Sequence, residues 1–221
     1  MKKILLALTI VLSSLLLCNQ NASATVVINN LTGGTQGFAA SLSGPDTLDF
    51  FGGPFENREF AFSFTTGSVT VLLTEFVFQV YIDTISPIQI DLSTGTNAPG
   101  GTGTIGLGSV EPTSLSPAFQ FLTLTPSLSP TLQANTQYWI HMTVPSGAGN
   151  YSVLNGNAPI VNPGWTLGNS YFTSPGDSWN ELTSGPVARV RLTVEEVPEP
   201  CVGFLSGMGL LLILRRRRTS N

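Results

Sequence analysis

The sequence has few of the residues on which metal sites and most nucleophilic catalysis depend. Its 221 residues include two cysteines and one histidine, and only 10% of them are charged. So few ligands exclude a metal site built from Cys and His side chains. The two cysteines, Cys18 and Cys201, both lie in apolar segments near the chain ends. The part between them therefore forms no internal disulfide and depends on core packing for its stability.

Positive charge is scarce between residues 25 and 197. That stretch has no lysine and three arginines, Arg58, Arg189 and Arg191, against twelve acidic residues, which gives it a formal charge of −9. Nucleic-acid binding depends on neutralising phosphates with basic side chains. The composition therefore excludes a nucleic-acid partner.

Helical periodicity is also missing. No stretch between residues 25 and 197 keeps a helical period over three turns, whereas apolar and polar residues alternate in short segments that are typical of half-buried strands. The strand-like segments are residues 25–30, 59–65, 69–82, 88–92, 119–121, 138–144 and 190–194. The 23 glycines and 15 prolines of the chain supply turns between them. This pattern predicts an all-β domain, a β-sandwich with jelly-roll or Greek-key-like connections.

The N-terminus has the three parts of a secretory signal peptide. Two lysines begin it, residues 4–17 are apolar, and Ala22 and Ala24 form a small-x-small cleavage site. Cleavage after Ala24 would start the exported chain at Thr25. The alternative is lipidation at Cys18, but the leucine before this cysteine is larger than the residue that a lipoprotein site requires.

The C-terminus consists of a proline-bounded motif, an apolar run and a basic cluster. Pro198, Glu199 and Pro200 break regular structure, because a proline lacks a backbone N–H and biases the preceding residue toward extended conformations. Residues 201–214 are apolar and would span roughly 21 Å as a helix at ~1.5 Å per residue, less than the ~30 Å hydrocarbon core. The basic cluster is Arg215, Arg216, Arg217 and Arg218. Long arginine side chains lengthen the usable span, and the positive-inside rule keeps them cytoplasmic.

This order of motif, short span and basic cluster resembles the PEP-CTERM sorting signal of exported bacterial proteins. In that family an exosortase, a membrane-embedded transpeptidase-like enzyme, recognises the tripeptide and removes the tail. The resemblance implies that Pro198, Glu199 and Pro200 are the recognition motif and that residues 201–214 are a transient transmembrane helix. The arginines would then be the stop-transfer cluster. The alternative is an ordinary tail anchor that is never cut.

Three segments of the region between the ends are similar to the choice-of-anchor ectodomains of the R type. They are SFTTGS at residues 63–68, NAPG at 97–100 and LQANTQYW at 132–139. These ectodomains are bacterial surface β-domains that occur with differing C-terminal anchors. The resemblance covers residues 59–194 and departs from the family in extra residues between 107 and 119. It implies a fold and a location, with no enzymatic activity to carry over.

His141 is the one histidine of the chain and lies in the strand-like segment 138–144. The alternation of its strand places it opposite Tyr138, Ile140 and Met142, on the same face as Trp139. A Ser-His-Asp site also needs a serine on a strained turn, and the sequence has no G-x-S-x-G motif. We expect His141 to be a solvated strand residue and the protein not to be an enzyme. A hydrolase based on paired carboxylates stays an alternative, because the distance between carboxylates is not readable from sequence.

Aromatic residues in a polar stretch support a second alternative, a carbohydrate-binding module. Trp165, Tyr171 and Trp179 lie in a segment rich in Gly, Asn, Ser and Pro, where large aromatics are less readily explained as strand core. Under this alternative, these three side chains would offer a stacking surface for sugars.

Calcium is the one ion for which the sequence has suitable ligands, as a structural ion rather than a cofactor. The candidates are aspartates, but none lies in a D-x-D-x-D-G loop. They are Asp46, Asp49, Asp83, Asp91 and Asp177.

The chain thus divides into a signal peptide (residues 1–24), a β-sandwich ectodomain (25–197) and a sorting signal (198–221). We expect an exported structural or adhesive protein of the cell surface or of an exopolysaccharide-containing extracellular matrix. Its expected partners are the secretion machinery and signal peptidase, the inner membrane as a transient anchor, an exosortase-like protease, and exopolysaccharide.

Overall fold

Antiparallel strands, and no helix, form the part of the chain that the structure describes. This computed structural model describes residues 23–31, 38–47, 57–95, 99, 103–113, 115, 119–154, 156, 160–174, 177–182 and 188–197. The strands are β1 Ala24–Asn29, β2 Phe38–Ser43, β3 Glu59–Thr65, β4 Val71–Thr84, β5 Ile88–Thr94, β6 Ile105–Val110, β7 Gln120–Leu124, β8 Thr131–Leu132, β9 Gln137–Thr143, β10 Asn150–Leu154, β11 Ile160–Val161, β12 Thr166–Thr173, β13 Asn180–Glu181 and β14 Val190–Glu196. The all-β class predicted from the alternating pattern is confirmed.

The predicted signal helix and sorting signal fall outside these residues. The residues concerned are the first 22 of the chain, including Ala22, the tripeptide Pro198, Glu199 and Pro200, the apolar run 201–214, and Arg215, Arg216, Arg217 and Arg218. Ala24 is described and is the first residue of β1. Within the described ranges, the structure has no helix of the length and apolarity that a bilayer crossing needs.

The strands form two antiparallel sheets. Sheet 1 has the order β11-β1-β14-β4-β10-β2, and β7 and β8 also pair with β4. Sheet 2 has the order β13-β12-β3-β9-β5-β6. Every described strand lies within one compact unit, Ala24–Glu196.

Strand β4 organises sheet 1 because it is long enough to pair with four strands. Val80 is paired with both Gln120 of β7 and Val153 of β10, so β7 and β10 lie along opposite edges of β4. β14 pairs with the first half of β4, and β10 with the second half. Arg189 lies at the point along β4 where pairing with β14 gives way to pairing with β10. Its N–H donates to the Leu154 carbonyl at 2.8 Å, and its carbonyl accepts from the Gln79 N–H at 3.1 Å.

The hydrophobic core draws side chains from both sheets. Phe60, Phe62 and Phe64 of β3 are almost completely buried, as are Phe76 and Phe78 of β4. The rings of Phe62 and Phe76 are 5.9 Å apart, so the two sheets contribute to one core at this point. Burying a side chain of this size contributes about 1.5–3 kcal/mol, so these phenylalanines supply much of the stability that a disulfide-free domain needs.

The structure differs from the sequence expectation in strands that were not predicted and in the core residues of β7. The strands without a predicted counterpart are β2, β6, β8, β10, β11, β12 and β13. The segment at residues 119–121 is in fact β7, and its core residues are Leu122 and Leu124, which pair with the phenylalanines of β4. Phe121 lies on the opposite face and is 54% exposed. Tyr171, which the sequence places in a polar segment rich in Gly, Asn, Ser and Pro, lies in the eight-residue β12. A register shift between Leu167 and Ser170 interrupts its alternation, so its sequence does not show a period of two.

Candidate functional site

The side of sheet 2 turned away from the core carries the one histidine of the chain together with carboxylate, amide and aromatic side chains. In β9, Tyr138, Ile140 and Met142 belong to the core, so Trp139 and His141 point to the other side. We call this side the outer face of sheet 2. It includes Glu59, Ala61, Gln89, Asp91, Trp139, His141, Asn169, Tyr171, Trp179 and Glu181.

Strand pairing aligns several of these residues in one row across the sheet. Ala61 of β3 is opposite His141 on one side and Tyr171 on the other. His141 is in turn opposite Asp91 of β5, and Tyr171 is opposite Glu181 of β13. Neighbouring strands lie about 4.8 Å apart, so the row from Glu181 to Asp91 crosses four spacings, roughly 19 Å.

Trp139 and Tyr171 form the aromatic floor of this face. Their ring centroids are 5.2 Å apart and their planes are inclined by 73°, an edge-to-face contact. Trp139 is only 2% exposed, and its indole N–H donates to the Gly95 carbonyl at 2.9 Å. Tyr171 is half-buried and covers part of it. The buried tryptophan thereby fixes the position of the tyrosine ring.

His141 is half-buried, which corrects the expectation of a solvated residue. Its Nε2 lies 2.9 Å from Oε2 of Glu59, and the two side chains are 19% and 25% exposed. The Trp179 ring packs against the imidazole with centroids 5.2 Å apart and an interplanar angle of 77°. The histidine is therefore held between a carboxylate and an indole. The contact with Glu59 becomes an ion pair when the imidazole is protonated.

The loop that carries Trp179 is tied to the sheet by Thr173. The hydroxyl of this buried threonine lies 3.0, 3.1 and 3.3 Å from the carbonyl oxygens of Ser174, Asp177 and Ser178. The N–H of Asp177 also donates to the Ser174 carbonyl at 3.0 Å. Trp179 is therefore positioned by hydrogen bonds within its own loop as well as by the imidazole beneath it.

Two polar pairs flank the aromatic side chains. Asn169 Nδ2 donates to Glu181 Oε1, and Gln89 Nε2 donates to Asp91 Oδ1 at 3.1 Å. Burial, and next the Glu181 carboxylate, raises the pKa of Tyr171 above its usual value. The phenol therefore stays protonated at neutral pH and can act as a hydrogen-bond donor.

The three aromatics predicted from sequence do not lie together. Tyr171 and Trp179 share the outer face of sheet 2, whereas the Trp165 ring stacks on Phe64, with centroids 6.2 Å apart and planes inclined by only 13°. Trp165 belongs instead to the edge of the core. It also lines a groove of about 340 Å³, whose other lining residues are Thr25, Val27, Gly67, Ser68, Val69, Val71, Asn162, Pro163, Val194 and Glu196.

The calcium alternative gains no support from the residues that the structure describes. The described calcium candidates Asp46, Asp83, Asp91 and Asp177 lie on separate elements, and Asp49 is outside the described residues. Within the ranges that the structure describes, no three His, Cys, Asp or Glu side chains are grouped to hold a metal ion. Ser93, next to Asp91 on the same face, is buried with no hydrogen-bond partner for its hydroxyl, so it is not engaged by His141.

Sequence reasoning missed Glu59, Asn169 and Glu181 as members of this face. The alternation in β9 was enough to place Trp139 and His141 together. The contributions of β3, β12 and β13 depend on which strands are neighbours, and this information is absent from any one segment.

Comparison of the chain with protein-family models, with curated proteins and with solved structures gives no match.

Proposed function

We propose that this chain is an exported, non-enzymatic protein of the bacterial cell surface or extracellular matrix, where it serves as a structural or adhesive component. The observation that carries the proposal is the outer face of sheet 2. It combines half-buried aromatic rings with paired hydrogen-bonding groups on a rigid sheet, and such a combination suits a recognition surface.

We further propose that the two sheets form a β-sandwich with jelly-roll or Greek-key-like connections. The contact between Phe62 and Phe76 supports this arrangement, as does the order in which the chain visits the sheets. β2 and β4 belong to sheet 1, whereas β3 and β5 belong to sheet 2. A chain that alternates between two facing sheets is typical of these sandwiches.

The proposed route to the surface depends on the two ends of the sequence. A signal peptide at residues 1–24 would direct export, and the sorting signal at 198–221 would hold the chain in the inner membrane until an exosortase-like enzyme cuts it. β14 ends at Glu196, so a single residue, Val197, separates the last strand from Pro198. The proposed recognition tripeptide therefore follows the folded unit directly.

A double substitution, Pro198→Ala with Pro200→Ala, tests the sorting step. The prolines keep Glu199 out of a helix, and an extended peptide is the form that a protease-like cleft accepts. We expect the variant to be exported normally and to keep residues 201–221 in the membrane, while the wild-type chain ends near Pro198. Mass spectrometry of the secreted and membrane fractions measures the C-terminus in each case.

Two further variants make this test specific. Pro145→Ala changes an exposed proline after β9 and should be processed like the wild type. Replacing all four arginines, Arg215 to Arg218, by serine should let some chains pass through the membrane uncut, because nothing then halts so short a span. An intact C-terminus on the wild-type chain in every fraction would refute processing and support the plain tail anchor.

A further inference from the structure

We propose that the outer face of sheet 2 binds a neutral polysaccharide, with the rings of Tyr171 and Trp179 as stacking surfaces. This inference deepens the proposed adhesive function and rests on it, because an exported protein meets glycans outside the cell. It names the ligand class and the site, neither of which follows from export alone.

The two rings are positioned before any ligand arrives. Tyr171 rests on the buried Trp139, and Trp179 rests on His141 while Thr173 holds its loop. Rigid aromatic side chains lose little conformational entropy on binding, which favours affinity. Both residues are half-buried, so each keeps part of its surface accessible to a partner.

The polar groups around the rings match a ligand rich in hydroxyls. Glu59, Asp91 and Glu181 already accept hydrogen bonds from His141, Gln89 and Asn169 respectively, and Glu181 is also hydrogen-bonded to Tyr171. A carboxylate has about four lone-pair sites, so each can accept further bonds from sugar hydroxyls. Charged acceptors form the stronger hydrogen bonds. The internal pairs also keep these groups satisfied when no ligand is bound.

The dimensions of the face favour a chain of sugars over a single sugar. The row from Glu181 through Tyr171 and His141 to Asp91 crosses five strands, roughly 19 Å at the usual strand spacing. The small side chain of Ala61 lies between Tyr171 and His141 and is fully buried, so the accessible surface of the row comes from its larger neighbours, including the Trp179 ring that packs against His141. An extended polymer lying across the strands can reach both ends of it.

Charge decides between neutral and anionic polysaccharides. Three carboxylates, those of Glu59, Asp91 and Glu181, face one histidine on this surface, and residues 25–197 carry a formal charge of −9. Like charges at an interface cost binding energy and slow association. A uronic-acid or sulfated chain would be repelled, whereas a chain without charge would not.

Affinity electrophoresis of the full-length chain tests the proposal. The protein is kept in an uncharged detergent without a sugar headgroup, because a sugar-containing detergent would compete for the site. Native gels contain amylose, hydroxyethylcellulose, galactomannan or, as the anionic probe, alginate. We expect at least one neutral polymer to retard the wild-type chain and alginate not to do so.

Variants at the rings locate the site. Tyr171→Ala and Trp179→Ala should each weaken retardation at least about fivefold, the loss typical of truncating an important interface aromatic. Trp179→Phe keeps a ring and should restore most of the binding. Phe121→Ala is the matched control, because it removes an exposed aromatic side chain from the other sheet and should leave retardation unchanged. Urea midpoints of all variants show whether each one is folded.

The outcomes separate this inference from the proposed function. If the chain is exported and processed but no neutral polymer retards it, the glycan proposal is wrong and the proposed function stands. Retardation that survives both alanine substitutions places the site elsewhere and overturns the proposal. Retardation by alginate, whether or not EDTA abolishes it, overturns the assignment of a neutral ligand.

Discussion

Asn30 offers the sharpest test of how sheet 1 is held together. This residue directly follows β1 and is 2% exposed. Its Nδ2 donates to the Ala188 carbonyl at 2.8 Å, and its Oδ1 accepts from the Val190 N–H at 2.5 Å. One side chain thus satisfies two backbone groups just where β14 begins. Asn30→Ala removes both bonds at once.

The expected loss follows from what is left behind. The backbone bond from the Asn30 N–H to the Val190 carbonyl at 3.1 Å survives the substitution, so the strands still meet. The Ala188 carbonyl and the Val190 N–H lose their partners in a buried place. Each unsatisfied buried group costs about 1–3 kcal/mol, which gives about 2–6 kcal/mol in all. A typical domain has about 5–15 kcal/mol of stability, so the loss would be a large fraction of it.

Urea unfolding of residues 25–197, followed by tryptophan fluorescence, measures this loss. We expect a lower midpoint with an unchanged slope, because the surface exposed on unfolding is nearly the same. Asn29→Ala is the matched control: the Asn29 side chain accepts a single local bond from the Leu31 N–H at 3.2 Å and is half-buried. Its cost should stay below about 1 kcal/mol. Equal midpoints for the two variants would show that the buried hydrogen bonds of Asn30 contribute no more to the free energy of unfolding than the local bond of Asn29.

Two further predictions concern a buried phenol and a close backbone approach. The Tyr151 hydroxyl donates to the Ser86 carbonyl and accepts from the Ser86 N–H at 2.7 Å. Burial above all raises the pKa of Tyr151, so its contribution to stability is complete below about pH 10 and is lost as the pH rises further. The Tyr151→Phe variant should therefore be less stable than the wild type at pH 7, yet its free energy of unfolding should fall less between pH 9 and 11. Urea titrations at each pH measure this, and an equal fall for the two proteins would contradict it. Gly44→Ala would place a Cβ 2.8 Å from Val144 Cγ1 and against the Gly147 carbonyl, and this clash should lower the free energy of unfolding by about 1–3 kcal/mol. Gly106→Ala is the control and should lower it less, because the nearest contact of its Cβ is at 3.6 Å. The same urea midpoint for both variants would refute the clash.

Much of the fold could be predicted because alternation reports burial directly. In β3 and β9 the apolar residues fall at every second position, and Phe62 and Ile140 are indeed core residues. β12 escaped prediction because its register shift breaks the alternation. The phenylalanines near β7 were misleading, because the pairing of this strand with β4 turns Phe121 outward.

The candidate site was less predictable than the fold. Composition identified Tyr171 and Trp179 as aromatics without an obvious core role, and both lie on the outer face of sheet 2. The same criterion selected Trp165, which packs on Phe64 at the edge of the core. Sequence spacing cannot separate these cases, since the difference depends on which strand each segment pairs with. Glu59 meets His141 across 82 positions of sequence, a distance that only folding removes.

The outer faces of the two sheets differ in a way that stability alone does not explain. On sheet 1, Arg191 and Glu75 form an ion pair at 2.9 Å with side chains about one-third exposed, and such surface pairs contribute about 1 kcal/mol or less. On sheet 2, Glu59 and His141 are more deeply buried, and an indole covers the imidazole. Removing ionisable groups from water costs free energy that one contact recovers only in part. A sheet face that needed only solubility would be served better by small hydroxyl side chains. The proposed glycan site gives the half-buried rings of Tyr171 and Trp179 a role as stacking surfaces, and the buried Trp139 supports the Tyr171 ring.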